Sequence, residues 1–271
     1  MRAEVLLGTQ GWKVGAWVGP FYPHGTKGAR MLGVYARAFP TVEVGSTSFA
    51  IPAEPVVRGW CEDVPPGFVF ALKVPQQVTH ERRLVDTERI LRRFLDRAGL
   101  LGDRLGPLLV QLSPAFHPSH ENHVVLRNFL ATLPEGFRWA IEFRHPGWIV
   151  GETLDLLRAR KVATVLADGR WIRREMMTDL ALEPTADFAY LRWEGTGRKL
   201  QDLSRPQIDR DRELEVWTGV VRRLGERVGT IYCYFDDQFQ GHAPHSAREF
   251  QERLGQSPVS PEALKEQAEL F

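Results

Sequence analysis

Glu142 and Arg144 stand two residues apart in Phe137-Arg-Trp-Ala-Ile-Glu-Phe-Arg-His-Pro146, and that spacing decides what they face. Residues two apart in a strand share a side, so Ala140, Glu142 and Arg144 look one way and Trp139, Ile141 and Phe143 the other. Large apolar residues on one side, with a small residue, an acid and a base on the other, suit a closed barrel. The apolar side meets outer helices and the charges line the mouth. Pro146 ends the strand where a loop must begin. A structural ion pair would read the same way, so a functional reading needs other strands that end alike.

Seven other strands are legible: Val5–Gly8, Thr41–Ser46, Phe68–Lys73, Leu108–Leu112, Val162–Asp168, Phe188–Trp193 and Thr230–Asp236. Helical spacing runs between them at Ala29–Phe39, Glu54–Cys61, Asp86–Ala98, Asn122–Leu133, Glu152–Lys161, Asp209–Arg227 and Ala243–Leu254, with a short helix inside 169–186. Each crossover is too long for a hairpin and suits parallel pairing. Eight βα units in a chain of 271 residues predict an α/β fold, a single-domain (β/α)8 TIM barrel over 1–255. An open doubly wound sheet is the alternative, but Gly8-Thr-Gln-Gly11 lacks the dinucleotide spacing and no phosphate-binding P-loop appears.

A parallel barrel delivers every strand's last residues to one rim. Collected there, the polar strand ends are Glu43, Lys73, Gln111, Glu142, Arg144, Asp168, Arg192 and Asp236. Four acids against three bases predict an interlocked charge network, because charges removed from water persist only when paired. Glu142 and Asp168 are the expected general acid and base, one protonated and one ionised. Lys73 is expected to fix a phosphate or carboxylate, or to form a Schiff base if desolvation lowers its pKa. Arg144 and Arg192 suit bidentate contacts to an anion. His80 and His145 lie just beyond strands, as do His117 and His242, which leaves room for a divalent metal. No HExxH or other tight ligand spacing is present, so no metal or cofactor is predicted. The long connection Lys13–Gly28 carries aromatics, and Trp12 with Tyr22 is expected to cover a ligand.

Thirty-five Lys and Arg against 34 Asp and Glu leave a net charge of +1, which lacks the overall electrostatic footprint of a strong nucleic-acid binder. Two cysteines, Cys61 and Cys233, are too few for a disulfide framework. No signal-like h-region or membrane-length apolar run occurs, so a soluble cytoplasmic protein with no membrane partner is expected. A linker and a tail helix occupy 256–271, with Ser260 as cap and Pro261 at the first helical position.

Seven ordered motifs resemble domain-of-unknown-function family 72, also called YecE-like. They are Gly8-Thr-Gln-Gly-Trp12, Phe21-Tyr-Pro23, Thr41-Val-Glu-Val-Gly-Ser-Thr47, Phe70-Ala-Leu-Lys73 with Thr79-His80, Leu105-Gly-Pro-Leu-Leu-Val-Gln-Leu112, Glu142-Phe-Arg-His-Pro-Gly-Trp148, and Tyr234-Phe-Asp-Asp237 with Gly241-His-Ala243. That family is similar to TIM barrels of the xylose-isomerase and endonuclease IV type, and the resemblance implies no established activity. The chain departs from the family's usual residues at Gln10, Gly45, Ala50, Asp236-Asp237 and near Ser246. The last five residues, Gln267-Ala-Glu-Leu-Phe271, resemble the Gln-x-x-Leu-Phe peptide that docks bacterial DNA-maintenance enzymes on the sliding clamp; Gln267, Leu270 and Phe271 would be its anchors.

The expected function is therefore acid–base chemistry of hydrolase, lyase or isomerase type. The substrate would be a small phosphorylated, sugar-like or nucleotide compound at the strand C-terminal mouth. The alternative is a nucleic-acid-binding or repair-related barrel recruited by its C-terminal peptide.

Overall fold

A computed structural model describes residues 3–197 and 199–266. Its eight parallel strands are β1 (Glu4–Thr9), β2 (Thr41–Val44), β3 (Val69–Lys73), β4 (Leu105–Gln111), β5 (Trp139–Glu142), β6 (Ala163–Gly169), β7 (Phe188–Gly195) and β8 (Thr230–Phe235). They run in the order β1-β8-β7-β6-β5-β4-β3-β2, a nearly closed barrel. The helices are α1 (Met31–Ala38), α2 (Glu54–Asp63), α3 (Glu88–Ala98), α4 (His120–Thr132), α5 (Gly151–Ala159), α6 (Arg174–Leu180), α7 (Asp211–Leu224), α8 (Asp237–Gln240), α9 (Ala243–Arg253) and α10 (Pro261–Glu266).

Strand parity builds two layers of core. Outward residues such as Phe70, Val110, Ile141, Leu191 and Phe235 join the helices in one apolar layer. Inward residues form a smaller cluster in which Ala71, Ala140 and Ala163 face Phe188, Tyr190, Tyr232 and Tyr234. Small residues on β3, β5 and β6 make room for the aromatics of β7 and β8, so the interior is filled rather than open.

The seam between β1 and β2 is closed mainly by a side chain. Its only strand-like bridge among the described residues is Gln10 with Glu43. Tyr35 on α1 reaches between the strands. Its hydroxyl accepts from Thr9 N (2.9 Å) and donates to Thr41 O (3.0 Å). Gly8 is what lets the strands approach, since a Cβ there would lie 2.0 Å from Thr41 O.

Sequence and structure differ at three places that matter for the site. Strand β7 runs two residues past Trp193, to Gly195. Helix α8, unanticipated, starts directly after β8 and is capped by Asp236, whose Oδ1 accepts from Gln238 N (2.8 Å). The aromatics of the Lys13–Gly28 connection are core: Trp17, Phe21 and Tyr22 are buried, with Phe21 against Phe39 at 5.7 Å. The expectation that Tyr22 covers a ligand therefore fails, because its ring is enclosed and its hydroxyl donates to Trp12 O at 2.5 Å. Helix α10 packs on α1 through buried Leu264. Gln267, Leu270 and Phe271 lie outside the described residues. No helix among the described residues is long and apolar enough to cross a membrane.

Candidate active site

Inward parity carries side chains from β2, β4, β5 and β7 to one point at the C-terminal end of the barrel. Arg192 on β7 is its hub. Its Nε donates to Glu43 Oε2 and its Nη2 to Glu43 Oε1, both at 2.9 Å. Nη2 also donates to Gln10 Oε1 at 2.7 Å, and Nη1 donates to both Glu142 and Glu194. Arg144 Nε donates to Glu142 Oε1 at 2.9 Å, and its Nη2 reaches Glu194 Oε1 at 3.4 Å. Gln111 Nε2 donates to both Glu142 oxygens at 3.0 Å. Tyr190 donates its hydroxyl proton to Glu43 Oε2 at 2.7 Å, which completes that carboxylate from below. Guanidinium forks match carboxylates two bonds at a time, so this arrangement holds acids that burial would otherwise neutralise.

The two carboxyls that share Arg192 Nη1 are driven apart. Burial alone would raise Glu142, but Arg192, Arg144 and the Gln111 amide overcome it and hold the group at about 2. Glu194 goes the other way: burial, with the Glu142 charge adding to it, raises its carboxyl against the pull of Arg192. One acid is fixed as the anion while its neighbour retains a proton more readily, the arrangement that separates acid from base roles.

Lys73 ends β3 on the same inward side. Burial and then the Arg192 charge lower its pKa, against the pull of Glu43 and Glu142. His80 follows in a π-type turn over Gln77–Glu81, with Nδ1 2.8 Å from Thr79 Oγ1. Burial, then Lys73 and Arg144, lower its pKa and favour the neutral ring. Three residues in this segment, Arg83, Leu84 and Asp86, hold left-handed φ of 48°, 72° and 51°. Such backbone costs about 1–3 kcal/mol per residue and collects at binding and switch sites.

Beside the network opens a cleft of about 500 Å3, lined by Arg144, Arg170, Trp171, Glu194, Lys199 and Asp236 among others. The Arg170 guanidinium lies 4.3 Å from the Trp171 ring and that of Arg144 5.7 Å, so one indole steadies two cations at the rim. A larger hollow of about 740 Å3, bounded by Gln240, His245, Arg248 and Glu249, lies away from the strand ends and holds none of the converging residues.

The structure thus brings together Glu43, Lys73, Gln111, Glu142, Arg144 and Arg192, with His80 beside them and Asp236 at the cleft wall. Other expected members are elsewhere. Asp168 has the outward parity of β6: its carboxylate accepts from Trp217 Nε1 on α7 (2.7 Å) and from Arg174 Nε (2.7 Å) and Nη2 (3.1 Å). Placed between strand and helices, it cannot exchange protons with Glu142. His145 also points away and accepts from Gly147 N at 3.1 Å as the cap of a short turn. Trp12 is half-buried, its ring edge-on to Trp60 of α2 at 5.9 Å. Sequence reasoning missed Gln10 and Glu194. Glu194 shares the parity of Arg192, but the sequence pattern alone ends that strand at Trp193. Among the described residues no three His, Cys, Asp or Glu side chains converge as a metal site requires.

The barrel is shared with other proteins. The model of the family described as protein of unknown function DUF72 matches residues 6–269. The chain belongs to this family. Its DUF72 relatives include the UPF0759 protein YecE of Escherichia coli K12, 32% identical over 171 residues, or 61% of this chain and 60% of YecE. That match spans about 60% of the relative's length. UPF0759 protein YunF of Bacillus subtilis 168 is 22% identical over 275 residues, 92% of this chain and 94% of YunF. A DUF72 crystal structure from Thermotoga maritima superposes with a TM-score of 0.79 at 26% identity, covering 93% of this chain and 100% of that one. One from Enterococcus faecalis gives 0.72 at 20%, covering 94% and 99%, a likeness of fold.

Asp237, two residues past the end of β8, ties the β1 connection to α9. Its Oδ1 accepts from Trp17 Nε1 (3.0 Å) and Ala243 N (2.7 Å). Burial outweighs those bonds and raises the carboxyl from 3.8 to about 6. A folded-state pKa above the unfolded value gives stability that is present below about 4 and lost as the pH rises through about 6. Asp237→Asn keeps an oxygen for both donors and removes the charge. By chemical denaturation it should exceed the wild type by about 2–3 kcal/mol near pH 8, with the gap closing toward about pH 4. A gap independent of pH would contradict this reading.

Proposed function

We propose that the barrel mouth is the active site of an enzyme performing acid–base chemistry on a small substrate that carries an anionic group, a phosphorylated or carboxylated sugar-like or nucleotide compound. The observation that supports it most is the pair Glu142 and Glu194. The two share one guanidinium proton donor, and their pKa values are displaced in opposite directions. Glu194 borders the open cleft and serves as the proton-bearing acid; Glu142, ionised and more enclosed, stabilises developing positive charge. Arg144 and Arg170, steadied by Trp171, together with Lys199, hold the anionic group.

A thermal-shift screen of sugar phosphates, nucleotides, carboxylated sugars and short single-stranded oligonucleotides tests this. A small anionic compound should raise Tm in the wild type and raise it less in Arg144→Ala. If only oligonucleotides bind, with affinity falling steeply as salt is added, the mouth handles nucleic acid instead.

A further inference from the structure

We infer that the substrate of the mouth is a zwitterion, a small compound that carries an ammonium group as well as its phosphate or carboxylate. This rests on the reading of the mouth as an active site and narrows the substrate class. The first observation is how charge is distributed along the cleft. Arg144 follows β5 and Arg170 follows β6, whereas Glu194 ends β7 and Asp236 and Asp237 follow β8. These strands are neighbours in that order, so the cleft has a cationic end and an acidic end. With Lys199, from the connection after β7, three basic side chains line it against three acidic ones. A ligand with only an anion would be opposed by the acidic end. One whose own charges are separated meets its opposite at both.

The second observation is how the carboxyls are held. Glu43, Glu142 and Asp168 do not line the cleft, and both oxygens of each accept hydrogen bonds. The cleft carboxyls are each held by one oxygen. Glu194 accepts from Arg192, Arg144 and Gln111 at Oε1 alone. Asp236 accepts from Gln238 N at Oδ1, and Asp237 from Trp17 Nε1 and Ala243 N at Oδ1. Among the described residues Glu194 Oε2, Asp236 Oδ2 and Asp237 Oδ2 have no donor, and none of them is sealed from solvent. Open acceptors of this kind suit an ammonium, which only donates. Burial raises all three carboxyls, a cost that a ligand cation offsets and a hydroxyl does not.

The acidic end is preformed. Asp168 pairs with Trp193 and Gly169 with Gly195, so Glu194 is the extra residue of a β-bulge, a device that re-aims a side chain. Gly195 follows with φ of 73°, and a Cβ there would lie 2.2 Å from Gln238 O. The end of β7 therefore seats directly on α8, the helix that Asp236 caps. A ligand amine meets these groups without first ordering them.

Two pairs of compounds exchange an amine for a hydroxyl and nothing else: O-phosphoserine against 3-phosphoglycerate, and glucosamine 6-phosphate against glucose 6-phosphate. Each is titrated into the intact protein by calorimetry near neutral pH. In whichever pair binds, the amino member should bind about tenfold or more tighter. Asp236→Asn keeps an oxygen for the cap of α8 and should cut that ratio to about threefold or less. Arg170→Ala should weaken both members alike and leave the ratio unchanged, since it meets the phosphate they share. Hydroxyl members that bind as tightly as their partners overturn the inference, and so does a ratio that Asp236→Asn leaves intact. If the hydroxyl members bind and Arg170→Ala weakens them, only the ammonium falls and the anionic-substrate reading stands. If no compound of either pair binds, both fall.

Discussion

Arg192→Met is expected to destabilise the protein by about 3–5 kcal/mol, the cost of stranding buried charges. Arg192 is buried and contacts three carboxylates, two of which, Glu43 and Glu142, are buried with it. Methionine fills similar volume, so lost packing is the smaller effect. The pH dependence separates the two causes. Without the guanidinium, burial would weigh more heavily on Glu142 and raise its carboxyl, and an acid raised in this way costs stability once the pH exceeds its folded pKa. The variant should therefore regain stability as the pH falls from about 7 to about 5, because its stranded carboxyls take up protons. Glu142 in the wild type, held at about 2, runs in the opposite sense: it contributes stability above about 4.5 that is lost as the pH falls toward 2. Urea denaturation at several pH values reads both. A loss below about 1 kcal/mol, or one constant with pH, would mean that Arg192 is not the hub.

Glu194→Gln should leave the fold nearly as stable as the wild type yet remove about 10²–10⁴ of turnover on the compound that raises Tm. Burial already disfavours the ionised form of Glu194, so a neutral amide loses little in folding. Losing a carboxyl that can hold and release a proton is another matter. Binding should survive, so the loss should appear in kcat rather than KM. Glu142→Gln is the control. It removes a charge held by Arg192 and Arg144, so stability and turnover should both fall. Equal stability losses in the two variants would contradict the division of roles.

What could be read in advance follows from parity. On β5 the alternation of Trp139, Ile141 and Phe143 with Ala140, Glu142 and Arg144 tells inside from outside, and the charges lie where it places them. On β6 neither parity carries a charge before Asp168, so nothing marked that carboxylate as outward; the donor that claims it, Trp217 Nε1, comes from 49 residues away. Glu194 could have been found. It follows Arg192 by two, but Glu194-Gly195 reads locally as the start of a loop, and only pairing beside β6 and β8 keeps it in the strand. Tyr22 shows the limit of composition. An aromatic in a long connection suits a stacking face or a plug equally well, and packing on Phe21 and Trp17 makes it the plug.

The eight-strand frame was legible for a different reason: each βα unit carries its own apolar pattern and its own breaker, so the count survives errors of two residues at any boundary. The β1–β2 seam was not legible. A tyrosine hydroxyl replaces backbone pairing there, and no local pattern announces that substitution.

The most direct test is a crystal structure of the protein soaked with the small anionic compound that raises Tm most. The compound should lie in the cleft between Arg144, Trp171 and Asp236, with a reacting atom within hydrogen-bond reach of Glu194. Density for it only in the hollow by Arg248 and Glu249, with the strand-end cleft filled by water, would contradict a single working centre at the mouth.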